Sequence, residues 1–203
     1  MTKGRFITFE GIDGAGKSTQ VEVIHQTIVA RGIEVVRTRE PGGTPLSEKI
    51  RELLLTQSME PSTETLLFFA SRAEHIAKVI KPSVERGAWV LSDRFTDATY
   101  AYQVGGRGFP ASKVEALEAW TQDGFGPDLT VLFDIDPEVA ARRVAKARNL
   151  DRFEKESLDF FTRVRNAYLE RARQNPDRFL IIDSMRDKET VSDELRRIFS
   201  TWA

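Results

Sequence analysis

A glycine-rich stretch near the start of the chain constrains the fold more than any other feature. It reads GIDGAGKST from Gly11 to Thr19, follows a short apolar run, and fits the pattern G-x-x-x-x-G-K-[ST] at every fixed position. Glycines let backbone amides wrap around phosphate groups, and a helix beginning near Gly16 adds its positive end. The pattern predicts a phosphate-binding loop between a strand and a helix. The alternative is a strand–turn–helix connection that is merely rich in glycine.

Every residue of this loop is a candidate for binding a nucleoside triphosphate. Lys17 supplies a cation for the β- and γ-phosphates, and the Ser18 hydroxyl is placed to ligate Mg²⁺. The other loop candidates, which would offer backbone amides or close approach, are Gly11, Ile12, Asp13, Gly14, Ala15, Gly16 and Thr19. The loop therefore predicts Mg²⁺ as the cofactor.

Composition narrows the class of partner. Charged residues make up 30% of the 203 residues and the net charge is −1, whereas nucleic-acid-binding proteins usually carry a basic surplus. The chain has no cysteine, which excludes disulfides and thiolate metal sites. No apolar run approaches the ~18 residues of a membrane span, and the first strand begins by Arg5, so we expect no signal peptide. These features favour a cytoplasmic protein of one domain, without nucleic-acid or membrane partners.

Short apolar strands alternate with helices along the chain. The predicted strands are Phe6–Glu10, Glu34–Arg39, Ala88–Asp93, Leu129–Asp134 and Phe179–Ile182. The predicted helices are Lys17–Ala30, Ser47–Leu55, Ser62–Glu85 with a kink at Pro82, Ser112–Thr121, Pro137–Lys146, Ser157–Arg173 and Lys188–Phe199. Residues 94–103 are predicted to form a helical turn and residues 105–108 a flexible loop. This order predicts an α/β fold of the P-loop NTPase type, with a parallel five-stranded sheet and helices on both faces.

Ligands of such a sheet bind at the carboxyl ends of its strands. Three acids lie at predicted strand ends: Glu10, Asp93 and Asp134. An acid in that position is often only a capping or turn residue, but a phosphate-binding loop needs an acid that orients the waters around Mg²⁺. Asp93 is the candidate for that role because a clear strand precedes it.

Arginines recur near the predicted ends of strands and helices, which favours a phosphotransferase over a nucleotide-dependent switch. They are Arg39, Arg51, Arg72, Arg94, Arg148 and Arg152. A guanidinium group binds phosphate through two parallel hydrogen bonds, although a solvated surface charge is the alternative for any one of them. A switch-type GTPase would need an N-K-x-D sequence after a strand, and the chain has none.

Several further motifs follow the phosphate-binding loop in a specific order. They are REPGG at 39–43, the pair Phe68 and Arg72, DRF at 93–95 followed by Tyr102 and Gln103, and LDRFE at 150–154. Together with FEGIDGAGKST at 9–19, this set resembles the thymidylate kinase family over essentially the whole chain. The resemblance implies transfer of phosphate from ATP to dTMP with Mg²⁺, by a protein that is typically a homodimer. The alternatives are another small-acceptor P-loop kinase and a nucleotide-binding switch.

The resemblance also implies roles at the acceptor site. The substrate-binding candidates are Asp13, Arg39, Arg51, Phe68, Arg72, Arg94, Thr99, Tyr102 and Gln103. In the family, the residue matching Phe68 stacks on thymine and the one matching Arg72 hydrogen-bonds a base carbonyl. A core aromatic is the alternative for Phe68. We expect the stripe Leu66, Ala70, Ala73, Ala77, Ile80 and Val84 to leave Phe68 and Arg72 on a different side of their helix.

Residues 147–156 are polar and are predicted to form a small lid. Gly14 stands where some relatives carry an arginine, and the chain is similar to those relatives that carry arginines in the lid instead. The candidates for meeting charge on the transferred phosphate are Lys17, Arg94, Arg148 and Arg152. The alternative for the two lid arginines is a solvated charge or a partner for Asp151 and Glu154.

The alanines of the long predicted helix and the two histidines of the chain lead to two further expectations, of which the first agrees with the family resemblance. The alanines at close-packing spacing, with Ile76 and Val79 beside them, predict a homodimer through residues 62–85. Since a phosphate monoester needs no general base near neutral pH, His25 and His75 are interpreted as helix-surface or packing residues.

Overall fold

The computed structural model describes residues 4–145, 153 and 156–202. Its five strands pair in parallel, in the order β2–β3–β1–β4–β5. They are β1 Phe6–Glu10, β2 Val35–Arg39, β3 Trp89–Asp93, β4 Leu129–Asp134 and β5 Phe179–Asp183. The predicted parallel five-stranded sheet is therefore confirmed.

Helices connect the strands, and most of their bounds lie within two residues of the prediction. They are α1 Lys17–Val29, α2 Pro45–Thr56, α3 Pro61–His75, α4 Lys81–Glu85, α5 Thr96–Thr99, α6 Ala111–Gln122, α7 Pro137–Ala145, α8 Leu158–Gln174 and α9 Lys188–Thr201. Two π-helical segments, Ile76–Ile80 and Tyr100–Gly106, continue α3 and α5. The predicted kink at Pro82 lies next to the first of these segments, where the helix type changes. Pro82 has no N–H to donate to the preceding turn, and the wider winding ends just before it.

The prediction of a flexible loop at residues 105–108 is wrong for its first half. Gly105 and Gly106 lie in the second π-helical segment, which packs closely against α8. A Cβ on Gly105 would lie 2.4 Å from the Cβ of Ala167, and one on Gly106 would lie 2.5 Å from the Phe160 ring. These two glycines therefore allow close approach between helices.

The central strand β1 is buried on both faces, because successive side chains of a strand point in opposite directions. Ile7 and Phe9 join the core cluster that includes Ile24 of α1 and Leu195 of α9. Phe6 joins a separate cluster with the helical segments 76–85. Helices thus cover both faces of the sheet, as predicted. Within the described ranges, the structure contains no helix both long enough and apolar enough to cross a membrane.

Candidate active site

The loops that follow β1, β2 and β3 open onto one cavity of about 590 Å³. Most of the predicted site residues line it, from both the triphosphate and the acceptor sets. Those residues are Asp13, Gly14, Gly16, Lys17, Ser18, Thr19, Arg51, Phe68, Arg72, Asp93, Arg94, Thr99, Tyr102 and Gln103. The fold therefore brings together residues that are more than eighty positions apart in the sequence.

The phosphate-binding loop is built around backbone that only glycine adopts easily. Gly11 has a φ of 131° and Gly14 a φ of 86°. A Cβ on Gly11 would lie 2.5 Å from the carbonyl oxygen of Phe133, and one on Gly14 would lie 2.5 Å from that of Ala140. Any side chain at either position would push the loop away from β4 or α7. Ile12 and Ala15 of the same loop are buried and do not line the cavity.

The Lys17 ammonium group lies back against its own loop. Its Nζ donates to the carbonyl oxygens of Gly11 at 2.9 Å and Ile12 at 3.2 Å, and the side chain is almost fully buried. Burial is the main cause that lowers the pKa of Lys17, with Arg94 adding to it and Asp13 opposing it. An anion entering the cavity would offer this cation a stronger partner than two neutral carbonyls.

Ser18 and Asp93 line the cavity together, as expected for a magnesium site. Asp93 Oδ1 is buried and has no hydrogen-bond partner among the described residues. The same part of the chain contains no cluster of three or more histidine, cysteine, aspartate or glutamate side chains that could hold a metal. One hydroxyl and one unpaired carboxylate oxygen fit Mg²⁺, which keeps several waters and takes other ligands from phosphates.

Arg94, directly after β3, has a left-handed backbone with a φ of 71°. Such a conformation costs on the order of 1–2 kcal/mol for a residue other than glycine. Three hydrogen bonds hold it: Ser92 Oγ donates to the Arg94 carbonyl, Arg94 N to the Phe9 carbonyl, and Phe95 N to Glu10 Oε1. The strained turn aims the Arg94 side chain across the mouth of the phosphate-binding loop.

The guanidinium of Arg94 is held by one acid and two phenols. It donates to Asp13 Oδ1 at 3.0 Å, to the Tyr102 hydroxyl at 3.0 Å and to the Tyr168 hydroxyl at 3.3 Å. It also lies 4.7 Å from the centre of the Tyr102 ring. Burial alone would lower the pKa of Arg94. Tyr102 and Asp13 outweigh burial and raise this pKa well above its ordinary value, so the group remains a cation.

The other two strand-end acids have different surroundings. Asp134 forms two hydrogen bonds with Arg165, at 2.6 and 2.9 Å. Glu10 is fully buried and accepts hydrogen bonds from Phe95 N and the Tyr168 hydroxyl, both at 2.7 Å. Burial, reinforced by Asp97, raises the pKa of Glu10 to about 8. Of the three, Asp93 alone lines the cavity in the part of the chain that the structure describes.

The acceptor-side residues lie on the buried side of α3. Arg72 is 1% exposed, and its Nη2 donates to Thr99 Oγ1 and to the Phe95 carbonyl, both at 3.1 Å. Phe68 is half-buried and faces the cavity, whereas the adjacent Phe69 is 1% exposed and belongs to the core. Phe69 is therefore the fully buried aromatic of this helix, whereas Phe68 packs against the core and the Phe153 ring with part of its surface in the cavity.

Of the apolar stripe expected on this helix, only Ile80 and Val84 are fully buried. Leu66 is 54% exposed, and Ala70 and Ala77 are exposed as well. The helix packs instead through Thr65, Phe69 and Arg72, which the neighbouring elements bury. Phe68 and Arg72 therefore lie on a different side of the helix from the exposed Leu66 and Ala70, as expected.

Arg39 does not reach the cavity, contrary to the substrate-binding prediction. Its side chain is half-exposed, and its Nη2 donates to Glu48 Oε2 at 2.8 Å. Arg51 lines the cavity and donates to the Pro41 carbonyl at 3.0 Å. The predicted lid arginines, Arg148 and Arg152, lie outside the described residues. Their roles stay predictions.

Sequence reasoning missed several residues near the cavity. Glu40 lines it and is bound to both Arg72 and His75. Of the two interpretations of His75, the structure supports packing: the side chain is fully buried and packs through hydrogen bonds. Arg143 lines the cavity and donates hydrogen bonds to the carbonyl oxygens of Gly14 and Ser184. The one signal for Glu40 was its place beside Arg39 in REPGG.

A phosphate-binding loop after the central strand of this parallel sheet puts the chain in the P-loop NTPase class. Comparisons with known proteins identify the family within this class. The family model described as thymidylate kinase matches residues 9–195. The chain belongs to the thymidylate kinase family.

Individual relatives agree with this assignment along nearly the whole chain. The chain is 60% identical to a thymidylate kinase of Methylobacillus flagellatus over 193 residues, 95% of each chain. It is 56% identical to a thymidylate kinase of Paraburkholderia xenovorans, covering 98% of this chain and 99% of the relative. The crystal structure of thymidylate kinase from Ehrlichia chaffeensis matches with a TM-score of 0.77 and 36% identity, covering 97% of this chain and 99% of that one.

Proposed function

We propose that this protein is a cytoplasmic enzyme that transfers the γ-phosphate of ATP to dTMP, giving dTDP and ADP. Membership of the thymidylate kinase family and the named relatives support this activity. The observation that carries it is one cavity lined both by Lys17 of the phosphate-binding loop and by Phe68 and Arg72 of α3. A cavity of this kind suits two anionic substrates whose phosphates meet in the middle.

On the acceptor side, we propose that residues of α3 bind the base and that arginines bind the phosphate. Phe68 presents an aromatic face for stacking, and such a stack contributes about 1–3 kcal/mol per base. Arg72 offers a hydrogen-bond donor to a carbonyl of the base. The sugar and phosphate are assigned to the other cavity-lining candidates, which are Asp13, Arg51, Arg94, Thr99, Tyr102 and Gln103.

The reaction needs positioning and charge neutralisation rather than a general base. A phosphate monoester has a second pKa of about 6, so the acceptor oxygen is largely anionic near neutral pH. Two anions repel each other, and the enzyme must hold them in line. Arg94 and Lys17 both line the cavity and would supply cations to the phosphates. Mg²⁺, held through Ser18 and waters that Asp93 orients, would neutralise further charge on the phosphates.

A coupled ADP-release assay with a panel of acceptors tests this proposal. The panel contains dTMP, dUMP, dCMP, dGMP, AMP and shikimate, each with ATP and Mg²⁺. We expect dTMP to stimulate ADP release most strongly, because Phe68 and Arg72 suit a pyrimidine that presents carbonyl oxygens. Absence of dTMP-stimulated release at millimolar substrate would contradict the proposal. Preference for another acceptor would indicate a different small-acceptor kinase, and release independent of any acceptor would indicate a switch.

We also propose that the chain forms a homodimer through the helix that runs from residue 61 to residue 85. Leu66, Ala70 and Ala77 form an exposed stripe along it, and Trp120 of the adjoining helix α6 is 80% exposed. Small residues at this spacing allow close packing of two copies. Ile76, which we had counted toward this surface, is 3% exposed and belongs to the core.

Sedimentation velocity at micromolar concentration tests the dimer. For the parent we expect a species of twice the chain mass of 23.0 kDa. For Leu66→Glu we expect sedimentation at the mass of a single chain, because a charge would have to be buried in the interface. Val29→Glu is the matched control, since Val29 is similarly exposed but lies on α1. A parent protein that sediments only at the chain mass would rule the dimer out.

A further inference from the structure

Behind Arg72, the buried carboxylate of Glu40 lies between Arg72 and His75. We propose that Glu40 and His75 are a positioning pair that fixes the Arg72 guanidinium as a donor, so that the site selects an acceptor base with a carbonyl over one with an amino group. The inference rests on the proposed function, because it concerns how the same site chooses its acceptor. It assigns a role to Glu40 and His75, neither of which was among the predicted site residues.

The pair is a continuous chain of short contacts. Arg72 Nε donates to Glu40 Oε2 at 2.7 Å, and His75 Nδ1 lies 3.0 Å from Glu40 Oε1. Since a carboxylate only accepts, the Nδ1 of His75 carries the hydrogen. On its far side, His75 Nε2 is 2.6 Å from Thr38 Oγ1. Both oxygens of Glu40 and both nitrogens of His75 are therefore engaged.

The guanidinium of Arg72 has little freedom in this arrangement. The rings of Phe69 and Phe95 lie 4.8 and 5.2 Å from its central carbon. Glu40 fixes its Nε, and Thr99 with the Phe95 carbonyl fixes its Nη2. The remaining nitrogen, Nη1, is buried and has no partner among the described residues, in a side chain that lines the cavity. An unpaired buried donor is costly, so this nitrogen suits a ligand that brings an acceptor.

The REPGG sequence at 39–43 supplies Glu40 and packs against His75. Gly43 crosses directly above His75, where a Cβ would lie 2.5 Å from His75 Nε2, and its φ of 86° also requires glycine. Arg39 of the same sequence points outward to Glu48, while Glu40 points inward to Arg72. What this sequence contributes to the site is therefore the carboxylate of Glu40.

The preference for one base over another follows because a guanidinium has no hydrogen-bond acceptor. It has five donors and no acceptor, so it pairs with a ring carbonyl and opposes a ring amino group. Rejection by a polar site is strong only where its groups cannot turn away to find another partner. Glu40 and His75 remove that freedom from Arg72. A cytosine base, which carries an amino group where thymine carries a carbonyl, would then face a fixed donor with a donor of its own.

Steady-state kinetics of His75→Leu, His75→Asn and Thr38→Val test the inference. For His75→Leu we expect KM for dTMP to rise about tenfold and the preference for dTMP over dCMP to fall by a similar factor, with kcat and KM for ATP little changed. His75→Asn should recover most of this loss, because its amide can place a donor near the position of Nδ1. Thr38→Val keeps the shape but loses the hydroxyl, so a smaller change in the same direction is expected.

Leu195→Ala is the control for general destabilisation. Leu195 is fully buried among α1 and α9 and does not line the cavity, so this variant should lower Tm without changing acceptor selectivity. If folded His75→Leu and Thr38→Val keep the parent KM and selectivity, the pair is only structural and the inference is wrong. If His75→Leu does not fold, Thr38→Val alone decides. A parent without dTMP-dependent ADP release contradicts the proposed function instead, so the two failures are distinguishable.

Discussion

Replacing Lys17 with alanine is expected to reduce kcat by at least about 10²–10³, which is the usual loss when one group that stabilises transition-state charge is removed. Lys17 follows the last glycine of the phosphate-binding loop, and its ammonium group now bonds two neutral loop carbonyls. Phosphates entering the loop would accept the hydrogen bonds that the ammonium group now donates to those carbonyls. Because the variant removes the loop's cation and keeps its backbone, we expect the fold to persist.

The measurement is single-turnover phosphate transfer to dTMP, with circular dichroism to confirm that Lys17→Ala is folded. Lys113→Ala is the matched control, because Lys113 is an exposed lysine on α6 away from the cavity. It should behave as the parent. If Lys17→Ala retains parent turnover, this lysine does not contact the transferred phosphate, and the interpretation of the loop is wrong.

Arg94→Ala is expected to lower kcat/KM for dTMP by about thirtyfold to several-thousandfold, since truncating a buried charged partner usually costs about 2–5 kcal/mol. The side chain is a cation held in the cavity by Asp13, Tyr102 and Tyr168. Arg94→Lys should fall between parent and alanine, because an ammonium keeps the charge but loses the planar fork. KM for ATP should change much less than KM for dTMP.

Initial rates over a matrix of ATP and dTMP concentrations separate these effects. Arg37→Ala is the control: Arg37 lies on β2 and forms an exposed ion pair with Glu22 outside the cavity. An Arg94→Ala variant within about threefold of the parent kcat/KM would mean that Arg94 serves only as a structural partner of Asp13 and the two tyrosines.

The sheet and its helices could be predicted because the strands are short apolar runs between polar turns, and the helices repeat their apolar residues at helical spacing. Two features of the fold could not be predicted from the sequence. Composition does not distinguish a glycine that gives flexibility from one that allows close packing, as at Gly105 and Gly106. Periodicity identifies an apolar face but not what covers it: within the stripe on the long helix, Leu66 and Ala77 are exposed whereas Ile80 and Val84 are buried.

At the site, the phosphate-binding loop was predictable because its chemistry is local, whereas the acceptor side depends on contacts between distant segments. Arg39 and Glu40 are neighbours, and adjacent residues at a strand end point to opposite sides. The prediction favoured Arg39 for its charge, but Glu40 is the residue that faces inward. His75 could not have been identified from sequence, because its partners Thr38 and Glu40 lie more than thirty residues before it.

The carboxyl of Glu10 makes the number of protons bound to this protein depend on what occupies the cavity. Its pKa is raised from 4.5 to about 8, so its contribution to folding stability is fully present below pH 4.5 and is lost as the pH rises through about 8. The charge of Arg94 is among the causes that hold this pKa down. A phosphate that binds Arg94 offsets that charge and raises the proton affinity of Glu10. We therefore expect anion binding at Arg94 to be accompanied by proton uptake at Glu10, and by linkage to weaken as the solution becomes alkaline.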